Sequence, residues 1–272
     1  MLFQRPAASQ GRRPYLKLDY VSKSFGSNTV LNGVSFEVLP GQTVCILGRS
    51  GVGKSVCLRL IMGFLKPDAG RVVAAEEDIT DYTEEELDRI HKKVTMVFQT
   101  GALFDSLTVR ENVAFPLRER DNLDEGIIHK TVDELLGMVG AREIADYLPA
   151  NVSTGMKRSV AIARALAANP RAVLYDEPTT MVDPLTARRL GELIAELQVR
   201  LKLTTVVVTH DMRLAEKLAG QVIFLDCAKV VFSGTPLEME HSSEPIVQQF
   251  LEYDRLDVAT IFNTIEPRRL TG

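Results

Sequence analysis

The chain has 272 residues, 45% of them hydrophobic, enough to bury a sizeable core in one large domain or two small ones. A net charge of −4 argues against holding nucleic acid through a bulk basic field, although local basic patches stay open. Three scattered cysteines, Cys45, Cys57 and Cys227, show neither metal-ligand spacing nor a disulfide framework and read as buried reduced thiols.

In chain order, residues 1–14 read as a flexible tail, and MLFQRPAASQGRRP lacks the apolar centre of a signal peptide. No apolar run approaches the roughly 18 residues needed to span a bilayer, so work at a membrane would need a partner. Tyr15–Val38 reads as short strands with turns at FGSN and LNG, an antiparallel piece. Strands are predicted at Thr43–Leu47, Val94–Phe98, Ala172–Asp176, Thr204–Thr209 and Val222–Asp226. Several are continuous apolar runs, which suits a sheet buried on both faces. Helices are predicted after Gly53 and over Glu84–Ile90, Thr131–Val139, Met156–Ala168, Pro184–Arg200 and Met212–Leu218. Pro170 falls just past one helix and Pro184 near the start of another. Strand–helix alternation argues a mostly parallel α/β sheet. Residues from about 100 to 155 are mainly helical, and an inserted helical subdomain is drawn over about 100–170. After Pro245 come IVQQFLEY and an irregular tail, giving a main domain of 15–250 and an extension of 251–272.

GRSGVGKS, Gly48 to Ser55, is a G-x-x-x-x-G-K-[ST] motif between an apolar strand and a helical pattern. The glycines let successive backbone N–H groups turn inward around phosphate, and the helix N-terminus adds its positive dipole end. Lys54 would reach the β- and γ-phosphates, and the Ser55 hydroxyl would bind Mg²⁺. The four specified positions match by chance in such a chain on the order of once in a hundred. The alternative is a glycine turn with a surface lysine. AVLYDEP, Ala172 to Pro178, ends an apolar strand in two carboxylates. Asp176 falls at a strand's carboxyl end, where ligands gather in open α/β sheets, and would hold Mg²⁺. Glu177 could then polarise a water attacking the γ-phosphate. Paired acids after a strand are weak evidence alone and gain force from the Gly48 loop.

With VSTGM between these motifs and VVVTHD after them, the chain resembles the ATPase subunit of an ABC transporter from about Tyr15 to Phe250. The resemblance implies a P-loop NTPase cassette of α/β class: an antiparallel β subdomain, a mostly parallel core sheet and an inserted helical subdomain. It implies ATP and Mg²⁺. Phe25 matches the aromatic that stacks on adenine, and Gly48–Ser55 the Walker A loop. The nucleotide contacts would be Phe25, Val30, Gly48, Arg49, Ser50, Gly51, Val52, Gly53, Lys54, Ser55 and Val56. Gln99 matches the Q-loop glutamine, which touches Mg²⁺ beside Ser55 and Asp176. Asp176 and Glu177 match the Walker B pair, Asp183 the D-loop, and His210 the switch histidine. The catalytic set would be Glu177, His210, Lys54 and Gln99. Each residue alone has a plain structural reading: Phe25 as a core aromatic, Gln99 as a strand-end polar group, Asp183-Pro184 as a helix start, His210-Asp211 as an N-cap pair.

In this family two subunits face head to tail, and each signature caps the partner's γ-phosphate. Here Val152–Met156 occupies the signature: Ser153 supplies the hydroxyl, Gly155 permits close approach, and the next helix supplies the dipole with Lys157 and Arg158. Thr154 stands where the family usually has Gly. A β-branched residue tolerates positive φ poorly, so the loop is strained by ~1–3 kcal/mol if that conformation is needed, and little otherwise.

FQTGALFDSLTVRENVAFPLRE, Phe98 to Glu119, is similar to the ATPases of MCE-type, Mla-like lipid transporters. That implies a homodimer at the cytoplasmic face of a bacterial inner membrane, two permease subunits, a ring of lipid-binding MCE domains, and in some systems a small STAS-domain subunit, with no nucleic acid. Phe104, Leu107 and Val109 would receive the permease, with core packing as the alternative. The segment from Phe250 to Gly272 would cross to the partner subunit or end as a frayed tail. The competing classes are another ABC importer, a soluble ABC ATPase acting on DNA or ribosomes, and a P-loop small-molecule kinase. The soluble class usually has two cassettes, coiled coils or zinc modules; the kinase needs neither signature nor switch histidine.

Overall fold

The computed structural model describes residues 13–119 and 123–263; expectations for residues 1–12 and 264–272 lie outside these. Two sheets share one face of packing. The first is antiparallel, with β1 (Leu16–Phe25) flanked by β2 (Asn28–Val38) and by β4 (Ala69–Ala74), which carries the short β5 (Glu77–Asp78). β1 and β2 are long strands joined at the FGSN turn, with Gly26 at φ 61. LNG is not a turn: Leu31–Gly33 lies inside β2, where Gly33 at φ 66 accompanies an irregularity in the β1–β2 register.

The second sheet has the order β10-β9-β3-β8-β7-β6. Its members are β3 (Thr43–Leu47), β6 (Val94–Val97), β7 (Ala172–Asp176), β8 (Thr204–Val208), β9 (Gln221–Asp226) and β10 (Lys229–Gly234). Five run parallel and β10 closes the edge antiparallel. The continuous apolar strand sequences follow from burial on both faces. Cys45, Leu47, Val173, Tyr175, Val207, Val222 and Phe224 enter the core under the helical side, while Val44, Ile46, Leu174, Val206, Val208, Ile223 and Leu225 enter the core shared with the antiparallel sheet.

The antiparallel side is closed by α1 (Lys54–Ile61) and α2 (Glu84–His91), the latter started by a Thr83–Glu86 capping box. The inserted helices are α3 (Val109–Arg118), α4 (Glu125–Met138) and α5 (Thr154–Ala167). α4 begins earlier than the predicted Thr131 because Asp124 caps it by accepting from Gly126 N, ahead of the apolar run. α6 (Pro184–Leu201) and α7 (Met212–Leu218) cover the outer face. α8 (Pro236–Glu240) leads to α9 (Pro245–Asn263). The irregular tail expected after IVQQFLEY is thus helical through Asn263. Phe250 anchors it, its ring edge-on to Phe224 at 5.0 Å. Among the described residues, no helix is long and apolar enough to cross a membrane.

Candidate nucleotide site

β3, β8 and β7 end side by side, with Ile46 level with Val208 and Val208 level with Asp176. The loop Gly48–Gly53, the Asp176–Glu177 pair and the Thr209–His210 turn therefore meet at one carboxyl edge, the position where open α/β sheets gather ligands. A cavity of about 350 Å³ opens there, lined by Val30, Ser50, Gly51, Gly53, Lys54, Ser55, Val56, Gln99, Glu177, Thr180 and His210.

The loop's path depends on glycine at two points. Gly48 has φ 147, and a Cβ there would collide with the Leu225 carbonyl oxygen. Gly53 has φ 106, and a Cβ would meet Val30 and Leu31 at 2.9 Å. This path turns the start of α1 toward the cavity. Lys54 is 5% exposed, and its ammonium donates to Gly48 O at 2.8 Å and Arg49 O at 3.1 Å and pairs with Glu177 Oε1 at 3.3 Å. All three partners are oxygens, so phosphate oxygens can replace them without leaving the ammonium unsatisfied.

Ser55 Oγ donates to Asp176 Oδ1 at 2.7 Å. Burial raises the Asp176 carboxyl above its ordinary range; Glu177 adds to the rise, and Ser55, Arg59 and Lys54 oppose it. A hydroxyl beside a buried carboxylate, with Gln99 lining the same cavity, is a hard oxygen donor set of the kind Mg²⁺ takes.

Glu177 is 9% exposed and has φ 47, a left-handed conformation costing on the order of 1–3 kcal/mol, fixed by its N–H donating to Val208 O at 2.9 Å. Its Oε2 accepts from Thr180 Oγ1 at 3.0 Å and meets His210 Nδ1 at 2.8 Å. Burial pushes this carboxyl up, but His210, Lys54 and Thr180 together outweigh it and hold Glu177 below the usual range. The same contact raises His210, with burial opposing. Glu177 therefore stays ionised at neutral pH, aimed into the cavity and able to accept a proton from water.

The other predicted residues lie apart from this cavity. Arg49 donates from Nη2 to Gln249 Oε1 at 3.0 Å, and Phe25 is 47% exposed at the end of β1 beside Lys23. Val52 and Gly48 support the loop from behind, Val52 Cγ2 lying 3.0 Å from a Cβ placed on Gly48. Ser153 caps α5, its Oγ accepting from Met156 N at 3.3 Å. Thr154 is the first residue of the helix, so its β-branch meets no positive-φ demand. Gly155 packs against the next motif: a Cβ there would collide with Thr186 Cγ2. Asp183 caps α6, with Oδ1 accepting from Thr186 N at 3.0 Å and Oδ2 from Thr186 Oγ1 at 2.6 Å. Asp211 likewise caps α7, so both aspartates make the helix caps that the plain reading expects.

Three expectations need correction. Cys45 and Cys57 are buried as expected, but Cys227 is exposed, because it sits in the turn between β9 and β10. Val109 cannot receive a partner, because it is fully buried at the start of α3, whereas Phe104 is 44% exposed. Arg158 does not stand at the helix mouth to reinforce its dipole; it is buried and donates to Phe98 O and Thr180 O. Thr180 was missed as a site residue. Its signal was a hydroxyl close after Glu177, which the strand pattern gives no reason to single out.

A family model described as ABC transporter matches residues 31–180. The intermembrane phospholipid transport system ATP-binding protein MlaF of Escherichia coli K12 is 38% identical over 232 residues, covering 85% of this chain and 86% of MlaF. The methionine import ATP-binding protein MetN 1 of Yersinia pestis is 39% identical over 242 residues, covering 87% of this chain and 70% of MetN 1. A bacterial ABC transporter cassette solved in dimeric form matches with TM-score 0.76 and 33% identity over 81% of this chain and 98% of that one. The same cassette in a post-hydrolysis state bound to ADP and Pi matches with TM-score 0.75 and 33% identity, again over 81% and 98%. The chain belongs to the ABC transporter ATP-binding family. It is an ATP-hydrolysing cassette that uses ATP and Mg²⁺.

Proposed function

We propose that this chain powers an MCE-type, Mla-like transporter that moves phospholipids or related lipids across a bacterial envelope. The catalytic part rests on one observation: the ionised Glu177 carboxylate is held by Lys54, Thr180 and His210 beside the Ser55–Asp176 pair. In this reading Lys54 and the Gly51–Ser55 amides bind the phosphates of ATP, with Val30, Ser50 and Val56 shaping the wall, Val52 backing the loop and Phe25 meeting the base. Ser55, Asp176 and Gln99 hold Mg²⁺, which when bound neutralises phosphate charge. Glu177 orients a water and takes its proton, and His210 holds the carboxylate in place and steadies the γ-phosphate. Ser153 and Gly155 at the start of α5, with Asp183, serve the nucleotide of a second copy.

The lipid assignment is supported by the likeness to MlaF and by the Phe98–Glu119 segment. That segment carries an exposed aromatic pair, Phe104 and Phe115, with ring centroids 4.8 Å apart. Buried Asn112 fixes the loop before α3 by donating to Phe104 O, Leu107 O and Thr108 O and accepting from Phe104 N. A shaped apolar surface beside Gln99 suits a permease subunit that would seat the chain at the inner face of the membrane. The MetN likeness favours a second reading, methionine import. Gentle extraction of a tagged chain from membranes, with mass spectrometry of co-purifying proteins and lipids, separates the two. An MCE-domain protein, a permease and phospholipid are expected; a permease with a methionine-binding protein would replace the lipid assignment and leave the ATPase reading intact.

A further inference from the structure

Arg158 is a buried cation without a carboxylate partner among the described residues. It is 4% exposed within α5; Nη1 donates to Phe98 O at 3.3 Å, Nη2 donates to Thr180 O at 3.4 Å, and Nε has no partner. Burial depresses its proton affinity, with no carboxylate contributing. A buried cation answered by carbonyl dipoles alone is costly, and an apolar side chain of similar length would fill the space at less cost. The partners it reaches point to its use. Phe98 immediately precedes Gln99, and its exposed ring stacks on Phe64 with centroids 6.5 Å apart. Thr180 gives its carbonyl to Arg158 and its hydroxyl to Glu177 Oε2 at 3.0 Å. One guanidinium therefore joins the peptide beside Gln99 to the residue that fixes the Glu177 carboxylate.

The same helix grips the segment again beyond Gln99. Arg164 Nη2 donates to Gly101 O at 3.0 Å, and its guanidinium lies over the Phe104 ring at 5.5 Å. Gly101, at φ 80, rests on α5 closely enough that a Cβ would lie 3.4 Å from Lys157 O. Residues 98–104 and α5 thus form one body, and Arg158 is its contact with the Glu177 loop.

We propose that Arg158 is a positioning residue that couples the Gln99 segment to the orientation of the Glu177 carboxylate. A displacement imposed at Phe98 or Phe104 reaches the water-handling group through Arg158 and Thr180. The inference rests on the reading of Glu177 as that group. The test is kcat and KM for ATP in the full chain for Arg158→Met, Thr180→Val, the double variant and Glu177→Gln. Each of the first two should lower kcat by about tenfold or more with KM nearly unchanged, the cost of a misplaced catalytic group. The double variant should be no slower than the worse single one, because both break the same chain of contacts. If Arg158→Met does not fold, Arg158→Lys takes its place and should show the same kcat loss, since one ammonium cannot span both carbonyls. Wild-type kcat at position 158, or losses that multiply in the double variant, would overturn the coupling while Glu177→Gln stays inactive. Wild-type turnover in Glu177→Gln would instead overturn the reading beneath it.

Discussion

The carboxyl edge of the parallel sheet and the start of α5 carry the same kind of chemistry in opposite states of completion. At the sheet edge, Lys54, Ser55, Asp176, Glu177, Thr180 and His210 hold one another within a single chain. At the start of α5 and α6, Ser153 and Asp183 are exposed, cap their own helices, and do not line the cavity. One half of the proposed site is pre-organised by the fold; the other is proposed to act on the nucleotide of a second copy of the chain.

The largest effect should come from the complete half. Glu177→Gln keeps the shape but not the base, and should lower kcat by roughly 10²–10⁴-fold with ATP binding retained, read by steady-state turnover beside a direct nucleotide-binding titration. A variant that kept its turnover would move the base elsewhere.

The next effect tests the incomplete half. Gly155→Ala drives a methyl into Thr186 Cγ2 and should cost about 1–3 kcal/mol in chemical denaturation. Thr186→Ser removes that methyl and keeps the hydroxyl that Asp183 accepts from, so it should recover most of the loss in the double variant. Failure to recover would mean that Gly155 is needed for something other than packing on α6.

A smaller effect separates strain from helix chemistry at Thr154. Because it opens α5, Thr154→Gly relieves nothing and should lower stability by at most about 1 kcal/mol, with no gain in ATPase rate. A marked rate increase would show that the signature needs a conformation only glycine adopts.

The smallest effect concerns pH. His210 is raised above its ordinary 6.5 by Glu177, which stays ionised beside Lys54. The pair's contribution is therefore complete below 6.5 and is lost as pH rises through the raised value. The difference in melting temperature between wild type and His210→Gln should shrink steadily toward alkaline pH. A constant difference would mean that the contact is a neutral hydrogen bond.

What the sequence made legible follows the same division. The core strands could be read because both faces of the sheet are buried, so Thr43–Leu47 and Ala172–Asp176, built on the apolar runs 44–47 and 172–175, match β3 and β7. Lys54, Ser55, Asp176, Glu177 and His210 could be read because their motifs sit at strand ends. Arg158 could not: its sequence neighbours place it at a helix start, where a cation suggests an exposed anion contact. Its burial depends on Phe98 and Thr180, which are distant in sequence. Thr180 was hidden because a hydroxyl three residues after Glu177 carries no pattern of its own, and Val109 because its cap at Thr108 fixes which helix face turns inward.

The central claim is that a complete site needs the sheet edge of one chain and the α5 start of another. Mixing purified Lys54→Ala and Ser153→Ala chains, each inactive alone, and measuring ATP turnover tests it directly. Mixed pairs keep one intact site, so the mixture should recover roughly a quarter of wild-type turnover when the chains exchange freely. A mixture no more active than its two components, in chains that demonstrably pair, would contradict the account.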